Sequence, residues 1–419
     1  MDATLSRLLA DPRIRAARAH IESEDAETLQ VQAALSAIPA PTGAEGPRGA
    51  RVAELFAAAG LASVKIDDVG NVHGWLGRPG APAIVLAAHL DTVFSADVDV
   101  TVRRDGARLE GPGISDNARG LAALVTLARA LTRARVTPAR PLLFAATVGE
   151  EGAGDLRGVK HLFNANGGDS GVGAQHAAPL HASPQRPYAM VALDGAGVDR
   201  IVHRGIGAAR YRARYRGPGG HSWAAFGVAN PASAVGRAAA AVADLAADAT
   251  RLPRSTAAVV RIGGGTGLNS IPQEAWLDLD VRSEDADALT RLDGAVRAAL
   301  TRACETENAR RVAGTPPLTL EIEPLGRRPS GITPRTHPLV QAAIAANRAL
   351  GFTHELAASS TDANVPMSLG IPAIALGAGG RAGDTHRTSE WYDNEQGPLG
   401  IVRALLVVAA VAGGDDLIT

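Results

Sequence analysis

Two adjacent carboxylates, Glu150 and Glu151, are the first residues in the chain whose types and spacing could do chemistry. They follow residues 142–148, an apolar run typical of a buried strand, and they precede Gly152. Because like charges side by side repel and lose solvation on burial, a folded site normally gives each its own partner. A metal ion for one and a water molecule for the other would satisfy both, whereas an exposed loop would need neither. The pair alone leaves both interpretations open.

Other metal-competent side chains follow other apolar runs. One run ends in His89, with Asp91 two residues later, and another ends in Asp194. His386 comes after a further run and a glycine-rich loop, and Asp116 lies in a glycine-rich loop before a predicted helix. Taken singly, these are ordinary: a buried hydrogen-bonded histidine, a turn residue or a helix N-cap. Because the carboxyl ends of parallel strands meet at one edge of an open α/β sheet, we expect the whole set to converge.

Together these side chains fit a site for two divalent metal ions. Two ions held about 3.5–4 Å apart require a bridging anion and separate terminal ligands, and Asp116 suits the bridge. His89 and Asp194 would complete the ligands of one ion. Glu151 and His386 would complete the ligands of the other. The carboxylates leave part of the metal charge uncompensated, which lowers the pKa of a bridging water and gives hydroxide near neutral pH.

Two further acids would assist such a site. Glu150, which the metal assignment does not use, can take a proton from the bridging water and pass it to a leaving amine. Asp91 can accept the second N–H of the His89 imidazole and fix its tautomer. The pattern therefore predicts amide hydrolysis by a metal-bridging hydroxide, with Glu150 as general base and acid. Histidine and carboxylate ligands suit Zn²⁺ first, with Mn²⁺ and Co²⁺ as alternatives.

Composition excludes several other classes of protein. The 42 basic and 43 acidic residues give a formal net charge of −1, which argues against a large nucleic-acid-binding surface. No apolar run is long enough to span a bilayer, and the first residues lack the pattern of a signal peptide. Cys304 is the only cysteine, which fits a reducing compartment. We therefore expect a cytoplasmic protein that binds neither nucleic acid nor membrane.

The order of predicted elements indicates how these residues are positioned. Residues 13–38 are predicted to be helical, and the chain then follows an α/β pattern of buried strands and helices. The middle of the chain follows the β-α-β-β-α-β order of a ferredoxin-like module. We predict an α/β fold with a mostly parallel sheet flanked by helices and an inserted α+β domain. The predicted boundaries place one domain in residues 1–206 and 327–419 and the inserted domain in residues 207–326.

A series of short motifs resembles those of the M20 metallopeptidase and amidohydrolase family. This family includes tripeptidase T, carnosinase-type dipeptidases, carboxypeptidase G2 and several deacylases. The resemblance implies a zinc-peptidase-like catalytic domain, the metal roles given above, Glu150 as general base and acid, and a cis peptide bond after Asp116. The motifs, in the order of the family, are His89-Leu-Asp91-Thr-Val, Gly113-Ile-Ser-Asp116-Asn-Ala-Arg-Gly120, Glu150-Glu151-Gly152, Asp194-Gly195, Gly220-His221-Ser222, Asn269-Ser-Ile-Pro272, Asp280-Val-Arg282, and His386 with Glu390.

The resemblance also implies that the inserted domain is a lid that forms a homodimer. His221 would reach the site of the neighbouring subunit and stabilise an oxyanion, a contribution of about 10²–10³ in rate for donors of this kind. Arg282 and Asn269 would bind a substrate carboxylate, Arg282 in a bidentate manner. Without the resemblance, these three residues are equally compatible with turns and a solvated strand.

Asp194 bears on the choice of substrate. In the family, peptidase branches tend to carry Asp at this position, whereas carboxypeptidase G2 and the deacylases tend to carry Glu. This favours a di- or tripeptide, or a peptide-like amide, with a free carboxylate. An N-acyl-amino-acid deacylase or amidase on the same site is the alternative. A non-catalytic metal-binding scaffold is a third hypothesis, disfavoured because a scaffold has no use for Glu150. A long loop at 163–187 leaves the exact substrate open.

Overall fold

The structure is a computed structural model that describes residues 1–164, 186–248 and 253–413. Most of the predicted loop at 163–187, including His176 and His181, lies outside the described residues. The chain divides into two compact units, Met1–Gly205 with Ile332–Thr419 and Ile206–Gly331. No helix in the described ranges is both long and apolar enough to cross a membrane.

Helices and strands are numbered along the whole chain. The helices are α1 (Asp2–Ala10), α2 (Pro12–Ser23), α3 (Asp25–Ser36), α4 (Gly46–Ala58), α5 (Ala118–Arg133), α6 (Arg157–Leu162), α7 (Pro231–Asp248), α8 (Ala286–Arg310), α9 (Pro338–Ala349), α10 (Asn364–Ser368) and α11 (Gly397–Ala412). The strands are β1 (Ala62–Ile66), β2 (Val72–Leu76), β3 (Ile84–His89), β4 (Arg103–Asp105), β5 (Arg108–Glu110), β6 (Leu142–Thr147), β7 (Ala189–Leu193), β8 (Arg200–Gly205), β9 (Gly207–Arg216), β10 (Gly220–His221), β11 (Ser255–Gly264), β12 (Ser270–Ile271), β13 (Glu274–Ser283), β14 (Thr319–Arg328), β15 (Gly331–Ile332), β16 (Glu355–Ser359), β17 (Ala373–Leu376), β18 (Arg381–Gly383) and β19 (Trp391–Asp393).

The first unit is built on a sheet with the strand order β1-β2-β6-β3-β7-β17-β8, and β16 pairs with β8. The central pairs β6–β3, β3–β7 and β7–β17 are parallel. Strand β3 is buried on both faces: Leu86 packs in a core with α5 and α11, and Val85 packs in another core with α6 and α10. Burying a side chain of this size stabilises the fold by about 1.5–3 kcal/mol. The predicted α/β fold, a mostly parallel sheet flanked by helices, is confirmed.

The helical region at 13–38 is interrupted at Glu24, which ends α2 and precedes α3. The apolar spacing changes at this point, because Ile14 and Ile21 define the buried face of α2 while Leu29 and Leu35 define that of α3. Two helices with different buried faces satisfy this pattern better than a single straight one.

The second unit has an antiparallel sheet in the order β11-β13-β9-β14. The element order β9-α7-β11-β13-α8-β14 is the β-α-β-β-α-β order expected from the sequence. Leu277 and Leu279 of β13 pack in a core with residues of α7 and α8. On the other face, cross-strand ion pairs link β9 with its neighbours, for example Arg212 Nε with Asp278 Oδ1 at 2.7 Å. A separate two-stranded sheet joins β10 and β12.

Candidate metal centre

The ends of three neighbouring parallel strands bring the first candidate ligands together. His89 is the last residue of β3, the pair Glu150–Glu151 comes shortly after β6, and Asp194 follows β7 directly. Strand β3 lies between β6 and β7, and His89 stands opposite Thr147 in the register. Parallel pairing aligns the carboxyl ends of the strands, so these side chains meet at one edge of the sheet.

Asp116 lies between the two histidines of the site. Its Oδ1 is 2.9 Å from His89 Nε2, and its Oδ2 is 3.1 Å from His386 Nε2. His386 Nε2 is also 3.0 Å from Glu151 Oε1, and His89 Nε2 is 3.8 Å from Asp194 Oδ1. Two triads therefore share one carboxylate, and the ligand atoms within each triad lie within 4.8 Å of one another. Glu150 forms a third such group with His89 and Glu151.

Asp91 fixes the ends of two strands relative to each other. Its two carboxylate oxygens accept hydrogen bonds from the backbone N–H groups of Glu150 and Glu151, both at 2.9 Å. Thr42 Oγ1 donates a further bond of 2.7 Å to the same carboxylate. His89 Nδ1 is 3.1 Å from the Asp91 backbone carbonyl and 3.5 Å from its Oδ1. The Asp91 backbone carbonyl, rather than the predicted carboxylate, is thus the nearer acceptor for the second imidazole N–H of His89.

The loop that carries Asp116 is held by Glu390. The Glu390 carboxylate accepts the backbone N–H groups of Gly113 at 3.2 Å, Ser115 at 2.8 Å and Asp116 at 2.9 Å. The Ser115 hydroxyl donates a fourth bond at 2.9 Å. The peptide bond between Asp116 and Asn117 is cis, as the resemblance implies, and the Asn117 side chain accepts the N–H of Gly120 to cap α5. These bonds leave both Asp116 oxygens directed toward the histidines.

The electrostatics of the site favour bound cations. Burial lowers the pKa of His89, but hydrogen bonds to Asp116, Asp194 and Asp91 outweigh it and hold that pKa well above its usual range. Hydrogen bonds to Asp116 and Glu151 raise the pKa of His386 to about 10. The same contacts hold the pKa of the Asp116 carboxyl well below its usual range, although burial acts in the opposite direction. The carboxylates that raise both imidazole pKa values would also attract divalent ions, and this donor set fits such ions once the imidazoles release their protons.

Asp362 is a buried acid near this site that the sequence analysis did not identify. It follows β16, is 3% exposed and accepts a hydrogen bond from Thr147 Oγ1 through its Oδ2. Its Oδ1 has no hydrogen-bond partner within the described part of the chain. Burial raises the pKa of Asp362 to about 6. The sequence offered the same signal as at Asp194, because Asp362 is an acid that follows a strand. It was missed because β16 is short and weakly apolar and was not predicted.

The remaining predicted site residues belong to the second unit. His221 ends β10 and is exposed, and its Nδ1 accepts the backbone N–H of Trp223 at 3.2 Å. Asn269 precedes β12, and its backbone carbonyl accepts the N–H of Ser222 at 2.9 Å. His221 and Asn269 are therefore neighbours on one small sheet. Arg282 lies on β13.

Arg282 is paired with an acid of its own strand. Its Nη2 donates to Asp280 Oδ2 at 2.8 Å, and its Nε lies 3.1 Å from both oxygens of that carboxylate. The side chain is 40% exposed. Asp280 lies two residues earlier on the same face of the strand. Its carboxylate thus binds the Arg282 guanidinium in the way that the resemblance implies for a substrate carboxylate.

The structure brings histidines and carboxylates together as a candidate metal site on an α/β fold, and comparison with known proteins identifies the family. The chain belongs to peptidase family M20/M25/M40, whose family model matches residues 85–409. It is therefore a hydrolase acting on peptide or other carbon–nitrogen bonds, in a family that is typically metal-dependent. No curated protein matched the chain.

Solved structures share the fold over nearly their whole length. An aminopeptidase PepT from Bacillus cereus has a TM-score of 0.69 and 21% identity, covering 92% of this chain and 98% of that one. A tripeptidase from Staphylococcus aureus has a TM-score of 0.70 and 20% identity, with the same coverage of 92% and 98%. An amidase of the hydantoinase/carbamoylase family from Burkholderia vietnamiensis has a TM-score of 0.68 and 15% identity, covering 96% and 98%. At these identities the likeness describes the fold.

Proposed function

We propose that the chain is a two-metal hydrolase that cleaves the amide bond of a short peptide, or peptide-like substrate, with a free carboxylate. One observation carries this proposal: two His–carboxylate triads share Asp116 as a common member. A shared carboxylate between two sets of terminal ligands is what a pair of closely spaced divalent ions requires. A single-metal site would have no use for the second triad.

Each triad would hold one ion. His89, Asp116 and Asp194 would bind the first. Asp116, Glu151 and His386 would bind the second, and this ligand chemistry suits Zn²⁺, with Mn²⁺ and Co²⁺ as alternatives. When bound, the ions would polarise the scissile carbonyl and lower the pKa of a water molecule at the site.

Glu150 is proposed as the general base and general acid. Its backbone is fixed by Asp91, it is only 4% exposed, and it lies beside His89 and Glu151. From that position its carboxylate would accept a proton from the attacking water. It would then donate this proton to the nitrogen of the scissile amide, so that the nitrogen leaves as a neutral amine. Asp91 and Glu390 would act as positioning residues, because each holds the backbone that carries a ligand.

The two units would divide the work. Residues 1–206 and 327–419 would form the catalytic domain, and residues 207–326 would form a lid that makes a homodimer. His221 is proposed to stabilise the oxyanion in the neighbouring subunit's site, and Asn269 and Arg282 to bind the substrate carboxylate. The exposure of His221 supports a role outside its own sheet, whereas Arg282 would first have to release Asp280.

Peptide substrates are favoured over acylated amino acids for two reasons. Asp194 is the residue type that peptidase branches of the family tend to carry at this position. The similar structures include an aminopeptidase, a tripeptidase and a yeast di-peptidase. The carbamoylase-type amidases among them keep an N-acyl-amino-acid amidase as the alternative on the same site. A non-catalytic scaffold gains no support from a family of hydrolases.

The proposal is tested by Glu150→Gln, a variant that keeps size and removes the base. The protein and the variant are assayed on dipeptides, tripeptides, N-acetyl and N-carbamoyl amino acids, with Zn²⁺, Mn²⁺ and Co²⁺ supplied separately. We expect kcat to fall about 10²–10⁴-fold while metal content, measured by elemental analysis, stays at two ions. Glu110→Gln, at a half-exposed carboxylate outside the ligand groups, serves as the matched control. Full activity in Glu150→Gln would contradict the proposal, and the preferred substrate class decides between peptidase and amidase.

A further inference from the structure

A cavity of about 740 Å³ lies within the first unit and opens beside the metal centre. Asp116 and Asp194 line it on one side, and Arg200, Arg381 and Glu395 contribute to its other walls. Its volume lies in the range of small-molecule sites, about 300–1,000 Å³. Because every lining residue belongs to the first unit, this cavity needs no contribution from the second.

The walls come from the carboxyl ends of strands that already carry the candidate ligands. One wall is the segment 194–200, which connects β7 to β8, and another begins at the end of β17. The side chains of Val202 and Leu376 are apolar parts of the lining. A substrate bound at the candidate metal centre would therefore extend between these two segments. Most of the wall beside it would be uncharged, with charged side chains at a few positions.

The charged side chains of the cavity differ in whether they already have partners. Glu395 pairs with Arg381 at 3.1 Å, and Asp199 accepts a hydrogen bond from Thr353 Oγ1 at 3.0 Å. Asp116 and Asp194 belong to the metal triads. Arg200 is exposed and its side chain makes no hydrogen bond or ion pair with any residue that the structure describes.

Arg200 and Arg282 can be compared as acceptors of a carboxylate. Arg282 is engaged by Asp280 through both Nε and Nη2, so a substrate would have to displace that acid. Arg200 has no competing carboxylate and lines the same cavity as two candidate metal ligands. A guanidinium binds a carboxylate through two parallel hydrogen bonds, which fixes orientation as well as adding affinity.

We propose that Arg200 determines specificity by binding a carboxylate of the substrate inside this cavity. This inference rests on the proposed hydrolysis of an amide at the adjacent metal centre. The carboxylate has two possible sources, the C-terminus of the substrate or an acidic side chain. Both present the same group to the guanidinium, and matched substrates separate them.

The test compares Arg200→Gln with Arg282→Gln in the metal-loaded protein. Each is assayed on a peptide with a free C-terminus and its C-terminal amide, and on a peptide with a Glu side chain and its Gln counterpart. We expect Arg200→Gln to raise KM about 10–100-fold for the substrate whose carboxylate it binds, as for loss of a charged hydrogen bond, with kcat and metal content little changed. KM for the neutral counterpart should move less than about 3-fold. Arg381→Gln, a cavity arginine already held by Glu395, should give a smaller shift than Arg200→Gln.

A binding measurement keeps the inference separate from turnover. Succinate, a simple dicarboxylate, is titrated calorimetrically into metal-loaded Glu150→Gln with and without Arg200→Gln. Weaker binding in the double variant, by about 10-fold or more, supports Arg200 even if no amide on the panel is cleaved, in which case the proposed function alone fails. Equal succinate binding, or an equal KM shift for charged and neutral substrates, overturns the role of Arg200. Loss of discrimination only in Arg282→Gln would assign the carboxylate to the second unit.

Discussion

The candidate residues of the first unit and those of the second are held in different ways. In the first unit, His89, Glu151 and Asp194 converge because the backbones of buried parallel strands align their ends. In the second unit, His221 projects from a two-stranded sheet and Arg282 from a charged sheet face. The first arrangement is fixed by main-chain hydrogen bonds and apolar packing. The second depends on local contacts of exposed side chains, an ion pair with Asp280 for Arg282 and backbone N–H groups for His221.

The contrast shows where a residue type is informative. At a strand end in a buried parallel sheet, a carboxylate has few ways to be satisfied, so its presence points to a ligand or a partner. On the wet face of an antiparallel sheet, opposite charges satisfy one another across strands, as Arg216 does with Glu274 at 3.0 Å and with Glu321 at 2.8 Å. Charged residues on that sheet face can therefore have a purely structural role, without any ligand or catalytic function.

The largest expected effect is the loss of metal from the first unit in Asp116→Ala. Because this carboxylate belongs to both triads, its removal should abolish binding of both ions and lower kcat/KM by about 10³-fold or more. Asp194→Ala removes a ligand from one triad and should retain about one ion per chain. Elemental analysis after dialysis measures both. Two ions retained in Asp116→Ala would show that the triads do not share this ligand.

An intermediate effect is expected for His221→Ala in the second unit. If His221 stabilises an oxyanion, kcat should fall about 10²–10³-fold, while metal content stays at the level of the unmodified protein. His354→Ala, at another exposed histidine, is the control. Steady-state kinetics and elemental analysis on the same samples measure the change in kcat and the metal content. Metal loss in His221→Ala would place this residue among the ligands and remove the distinction between the two units.

The smallest expected effect concerns stability and Asp362→Asn. Burial raises the pKa of Asp362 to about 6, so in metal-free protein this group favours folding below its unfolded pKa of 3.8 and loses that contribution as pH rises through 6. Asp362→Asn should therefore match the unmodified protein near pH 4 and be more stable by about 2 kcal/mol near pH 8. Urea unfolding of the metal-free proteins at both pH values measures the gap. A variant that is less stable at pH 8 would mean that the charge of Asp362 has a compensating partner.

The parallel sheet was predictable because long apolar runs, such as that before Glu150, have few alternatives to buried strands. The ferredoxin-like element order was predictable for a related reason, since strict alternation along β9 and β13 is typical of half-buried strands. The pairing of Arg282 with Asp280 was not deduced, because spacing two residues apart puts both on one face without saying whether they touch. Asp362 was missed because its burial comes from tertiary packing around a weak strand. The break at Glu24 was missed because apolar residues continue across it, although the buried faces of α2 and α3 differ.

The bonds from Glu390 to the Asp116 loop have a consequence for how the chain is made. The two residues are 274 positions apart, and β17, which lies between β7 and β8, also comes from the last part of the sequence. A growing chain thus carries His89, Asp116, Glu151 and Asp194 long before the loop of Asp116 receives its four hydrogen bonds. The candidate metal centre can therefore take its final form only after the segment that carries β17 and Glu390 has been synthesised.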